Sequence, residues 1–132
     1  MRRTEGIAQT ILVVEDVHET RDGIEKLLTA DGYRVAVARD KVDAVESAKR
    51  DRPDLILVSL AGVPRDVIVS ARSIREHAAL DDSVPVVIFC IEEIAEGDEV
   101  ALGENVHVTR PDNFNQLRSL LGRLLIKIPR AA

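Results

Sequence analysis

Three short stretches of this chain are apolar without a break: ILVV (11–14), LILV (55–58) and VPVVIF (84–89). A strand covered on both faces reads as an unbroken apolar run, whereas a strand with one wet face alternates. Two further stretches do alternate, YRVAVA (33–38) and NVHVT (105–109). The pattern predicts a sheet of three central strands with an edge strand on either side. Covering both faces of such a sheet takes helices, and helical patterns fill the gaps.

After the first strand, Ile24, Leu27 and Leu28 share a face, and the segment stops at Asp31-Gly32, a glycine stop signal. Asp40 is a capping residue for a second helix presenting Ala44, Val45 and Ala48. Val67, Ile68, Ala71, Ile74 and Ala78 make the stripe of a third. The last helix starts near Asn113 and shows Phe114, Leu117, Leu121 and Leu124, widened by Leu120, Leu125 and Ile128. The fourth segment, EEIAEGDEVALG (92–103), is the exception: Gly97 interrupts it and leaves 98–102, little more than one helical turn. Strands alternating with helices predict an α/β fold of three layers, a doubly wound five-stranded parallel sheet with right-handed crossovers. Edges at the second and fifth strands match the order 2-1-3-4-5, which is taken from the flavodoxin-like class rather than derived from these residues. The domain is expected over 10–128, with 1–9 and 129–132 as loose extensions.

The 132 residues suit one domain with a real core. A net charge of −5 gives no basic footprint for nucleic acid, and one Tyr, two Phe and no Trp are too few for a base-stacking platform. The longest apolar run, 84–91, falls far short of a membrane span of about 20 residues. Cys90 is the only cysteine and has no internal disulfide partner, which fits a reducing, cytoplasmic compartment.

In doubly wound sheets, ligands bind beyond the carboxyl ends of the strands. The residues due there are Glu15-Asp16, Ser59, Cys90 and Thr109-Arg110-Pro111. Adjacent carboxylates are hard oxygen ligands suited to Mg²⁺. The plainer reading is a solvated acidic pair opening a helix, where the dipole favours negative charge.

The blocks ILVVEDVHETRDGIEKLL, RPDLILVSL, VPVVIFC and GENVHVTRP, in that order and at strand ends, resemble the receiver domain of bacterial response regulators. The resemblance covers roughly 10–128. It implies an acidic pair after the first strand that binds Mg²⁺, matched by Glu15 and Asp16. It implies an aspartate ending the third strand that accepts a phosphoryl group from a histidine kinase; Ser59 stands there. Cys90 replaces the threonine or serine that hydrogen-bonds the phosphoryl group, and Arg110-Pro111 replaces the lysine before a proline that pairs with the aspartate. His107 holds the place of the switch aromatic on the output face, and Val67 stands where a glycine is common.

These departures decide the expected chemistry. A carboxylate attacking phosphohistidine gives a reactive acyl phosphate, whereas Ser59 would need deprotonation and would form a stable ester. Asp54 is five strand residues away, roughly 16 Å at ~3.3 Å per residue. Cys90 offers only a weak S–H donor. Two carboxylates against one guanidinium leave a single net negative charge, and Arg110 is expected to pair with Glu15 or Asp16. Mg²⁺ is therefore expected to bind weakly or not at all, and no other cofactor is implied. Plainer readings stand beside these: Ser59 as a loop-satisfying hydroxyl, Cys90 as a small buried hydrophobe, and His107 as an outward residue of an edge strand. Arg110-Pro111 is a candidate cis peptide with trans as the ordinary form.

The sequence thus reads as a degenerate receiver, a non-enzymatic module of two-component signalling acting by protein–protein contact, independent of phosphorylation. The partner is a sensor histidine kinase or another signalling protein, with neither nucleic acid nor membrane engaged. The apolar stripe of the last helix is read first as core and second as a homodimer surface. Any DNA-binding or enzymatic output is expected in a partner or outside this chain. Two alternatives are a phosphorelay receiver with a displaced acceptor and a small flavodoxin-like ligand-binding protein or enzyme. The turn EDVHET has no glycine-rich phosphate cradle, which weighs against the last.

Overall fold

The computed structural model describes residues 8–89 and 94–126. Five parallel strands form the body of the sheet: β1 (Thr10–Glu15), β2 (Arg34–Ala38), β3 (Leu55–Ser59), β4 (Val86–Phe89) and, after an additional strand β5 (Glu99–Gly103), β6 (Val106–Thr109). Helices α1 (His18–Ala30), α2 (Lys41–Arg50), α3 (Pro64–His77) and α4 (Phe114–Leu125) cover its two faces. The strand order is β2-β1-β3-β4-β6-β5. The expected α/β flavodoxin-like architecture is present, with one more strand than the sequence indicated.

The continuous apolar runs become strands because each supplies both layers of core at once. On β1, Leu12 and Val14 join Ile56, Val58, Ile88, Ala48 and Ile74 on one face, while Ile11 and Val13 join Leu55, Leu57, Leu28 and Leu121 on the other. Period-two alternation thus assigns α2 and α3 to one side and α1 and α4 to the other. Asp40 caps α2 by accepting from the Asp43 backbone N–H at 2.9 Å, and Asn113 caps α4 by accepting from Gln116 N–H at 3.0 Å. In α1, Ile24 and Leu28 are buried but Leu27 is exposed. In α4, Leu117, Leu120, Leu121 and Leu125 all pack in the core, with Phe114 and Leu124 partly buried against it. Ile128 lies outside the described residues.

The segment expected as a helical turn over 98–102 is a strand instead. β5 runs antiparallel to β6, with Val100 opposite Val108 and Gly103 opposite Val106. Between them Glu104 and Asn105 both have positive φ, 57° and 62°, the form of a type I′ two-residue hairpin. The hairpin wins over local helix propensity because it satisfies the outer edge of β6, which five parallel strands would leave open. It also corrects the placement of His107. β6 lies between β4 and β5, so His107 is an interior-strand residue, half-buried, with Nε2 2.9 Å from Asn105 Oδ1.

Candidate functional site

A cleft of about 380 Å³ opens beyond the carboxyl ends of β1, β3 and β4. Glu15 and Ser59 end their strands as register partners, and Asp16 follows Glu15 into the turn before α1. Glu15 is buried at 4% exposure while Asp16 is exposed. Glu15 Oε2 accepts from Val17 N–H at 3.1 Å, which holds the carboxylate beside the turn. Arg21 does not neutralise it: its Nη1 donates to the Glu15 carbonyl at 2.8 Å, and Nη2 lies 3.1 Å from His18 Nδ1. Among the described residues, no hydrogen bond engages the Ser59 hydroxyl.

Most of the remaining lining of the cleft is apolar. Leu60, Pro64, Val67 and Ile68 come from the β3–α3 connection and the start of α3, and Ile88 and Phe89 from β4. Gly62 turns the chain into α3 with φ +135°, a backbone conformation that side-chain-bearing residues rarely adopt. Pro64 begins α3 at a position where its missing N–H costs nothing. These apolar liners were not singled out from the sequence as site residues. Their signal was the apolar start of the third helical stripe, which reads equally well as core.

The expected site residues divide into three groups. Glu15, Asp16 and Ser59 line the one cleft. Arg110, Pro111 and His107 do not. Arg110 was expected to pair with an acid of the cleft, but its Nη1 donates to the Ile94 carbonyl at 3.2 Å, and no ion pair joins it to Glu15 or Asp16 among the described residues. Its backbone is drawn the same way, since Arg110 N–H donates to Asp98 and Gly97 N–H donates to Arg110. The side chain thus follows the 94–98 segment that leads into β5. The Arg110–Pro111 bond is trans. Cys90 lies outside the described residues. Asp54, at the far end of β3, accepts from Thr10 N–H at 2.8 Å.

With Arg110 elsewhere, the cleft keeps the full charge of two carboxylates. Glu15 and Asp16 are hard oxygen donors, and Mg²⁺ is often held by one or two carboxylates while retaining waters. These two residues are the ones that would hold the ion. No group of three or more His, Cys, Asp or Glu suited to a metal exists among the described residues, so the protein donor set is sparse. No described helix is long and apolar enough to cross a membrane.

The family model for the response regulator receiver domain matches residues 11–121. The transcriptional regulatory protein KdpE of Staphylococcus aureus is 29% identical over 111 residues, covering 83% of this chain and 46% of that protein. The probable transcriptional regulatory protein TcrX of Mycobacterium tuberculosis is 30% identical over 135 residues, covering 93% of this chain and 54% of that one. The chain spans about half the length of these curated relatives. Among solved structures, the receiver domain of sensor histidine kinase PA1611 from Pseudomonas aeruginosa, which has a magnesium ion coordinated in its active-site cleft, is 29% identical. It superposes with a TM-score of 0.64 over 90% of this chain and 98% of that one. The receiver domain of a signal transduction histidine kinase from Syntrophus aciditrophicus gives a TM-score of 0.70 at 22% identity, over 95% of this chain and 97% of that one.

Proposed function

Because the chain belongs to the response regulator receiver domain family, we propose that it is an atypical receiver module of two-component signalling that acts by protein–protein contact without forming an acyl phosphate. The observation that carries this reading is Ser59. It ends β3 opposite Glu15, in the lining of the cleft, where the family resemblance calls for the acceptor carboxylate. The acids that do line the cleft are Glu15 and Asp16, which the resemblance assigns to metal binding. Asp54 is committed to the Thr10 backbone at the opposite end of the sheet. The Ser59 hydroxyl is hydrogen-bonded to no base among the described residues: its register partner Glu15 is engaged with Val17 N–H rather than with the alcohol. Mg²⁺ binding by Glu15 and Asp16 is weak in this reading because Ser59 removes the third carboxylate of the receiver pattern, and the module has no enzymatic turnover of its own. Its partner is a histidine kinase or another signalling protein, its compartment is the cytoplasm, and any transcriptional output belongs outside this domain.

The test is restoration. Ser59→Asp combined with Cys90→Thr returns an acceptor to the end of β3 and the hydroxyl that the family resemblance calls for at position 90. Incubation with acetyl phosphate and Mg²⁺ should then add one phosphoryl mass increment to the double variant. If the folded variant stays unlabelled, the family analogy extends to the fold alone.

A further inference from the structure

Resting on the reading that this module works through protein contact, we propose that the cleft beside Ser59 is itself the docking groove. Its occupant is a partner segment that carries a lysine or arginine followed by apolar residues. Glu15 supplies the first reason. It is 96% buried by its 4% exposure, yet among the described residues its carboxylate receives one hydrogen bond, from Val17 N–H, and no cation. A buried carboxylate without a cationic partner is costly, so the site gains most from a ligand that brings one. Among the described residues, Arg21 and Arg110 direct their guanidinium groups to the backbone carbonyls of Glu15 and Ile94 rather than to the Glu15 carboxylate.

The walls supply the second reason. Leu60, Pro64 and Ile68 line the same cleft above the buried Val67 and Ile88, and Pro64 and Ile68 also line a second hollow of about 260 Å³. Val63 and Val69, each 62% exposed, border that hollow together with Arg65. The groove is therefore anionic in the cleft, where Glu15 and Asp16 lie, and mainly apolar in the adjoining hollow. A hydrated divalent cation satisfies Glu15 and Asp16 but leaves the apolar walls wet. A purely apolar segment covers the walls and leaves the buried acid unpaired. A side chain such as lysine, with its apolar stem and charged head, matches the cleft, and apolar neighbours match the hollow.

The test uses the isotopically labelled full chain and the peptide acetyl-Lys-Val-Leu-Val-amide, with glutamine replacing lysine in the control. The lysine peptide should shift the amide signals of Gly62, Val67 and Val69 and bind at least tenfold more tightly than the glutamine peptide. Asp16→Asn and Val69→Glu, both at exposed positions, should each weaken it several-fold, while Val42→Glu on α2 should not. The proposal is overturned if the two peptides bind equally, if neither binds at millimolar concentration, or if Val69→Glu has no effect. Hexylammonium binding as tightly as the peptide would mark a small-amine site instead, and Mg²⁺ displacing the peptide at lower concentration would mark a metal site. Phosphodonor labelling of the wild-type chain would sink the parent reading, whereas absent labelling with absent peptide binding sinks only this one.

Discussion

Glu15 and Ser59 are the last residues in register between β1 and β3, so the buried acid and the half-buried alcohol stand side by side in the lining of one cleft. Parallel pairing fixes that neighbourhood: each strand delivers its terminal residue to the same edge of the sheet, and the core beneath holds both. The chemistry of the site is set by which residue types those two strands end in. Here one ends in a carboxylate that can hold a cation, and the other in a hydroxyl that makes a poor phosphoryl acceptor.

The β5–β6 hairpin should depend on Asn105. Its backbone is left-handed at φ 62°, and its side-chain amide donates to the Asp82 carbonyl at 2.9 Å. Asn105→Ala removes the residue that tolerates that conformation together with its hydrogen bond, and should cost about 1–2 kcal/mol in urea unfolding. A change below a few tenths of a kcal/mol would mean the turn is not what holds β5 in place.

Arg75 is the buried cation of the opposite end of the sheet. Only 5% exposed, it donates to the Val84 carbonyl at 3.0 Å and pairs with Asp82 at 3.3 Å. Arg75→Ala leaves that carbonyl unsatisfied and strips the packing of the side-chain stem, which should cost about 2–3 kcal/mol. Asp82 itself is exposed, so Asp82→Asn should cost less than about 1 kcal/mol. Equal losses would show that the ion pair, rather than the burial, dominates.

Stability should fall as the solution is acidified through the histidine range, partly because of His107. Burial lowers its pKa, and the Glu99 carboxylate opposes that shift without cancelling it. The unfolded chain then binds more protons than the folded one between the two pKa values. This histidine's contribution is full above the unfolded value, about 6.5, and is lost as pH falls from there through the lower folded value. His107→Gln should flatten the stability profile between pH 7 and pH 5.5. An unchanged slope would assign the dependence to other groups.

Much of the architecture is legible in the sequence for a simple reason: ILVV and LILV can satisfy two faces of core only as central strands, and Asp40 and Asn113 mark helix starts through their own side chains. The site residues Glu15, Asp16 and Ser59 are legible because a strand's end is a position that the apolar run itself defines. The β5 strand is not. EVALG is composed largely of good helix formers, and its strand conformation comes from pairing with β6, a tertiary effect. Nor does Glu104-Asn105 carry the glycine that usually announces a type I′ turn. Arg110 was misread for a related reason: its side chain follows the 94–98 segment, whose course depends on that hairpin.

The most direct measurement is the intact mass of the wild-type chain after incubation with acetyl phosphate and Mg²⁺, followed by hydroxylamine treatment. With Ser59 at the tip of β3, the mass should stay unchanged at every Mg²⁺ concentration. A phosphoryl increment that hydroxylamine removes would mean that a carboxylate of this domain accepts phosphate after all, and would contradict the account.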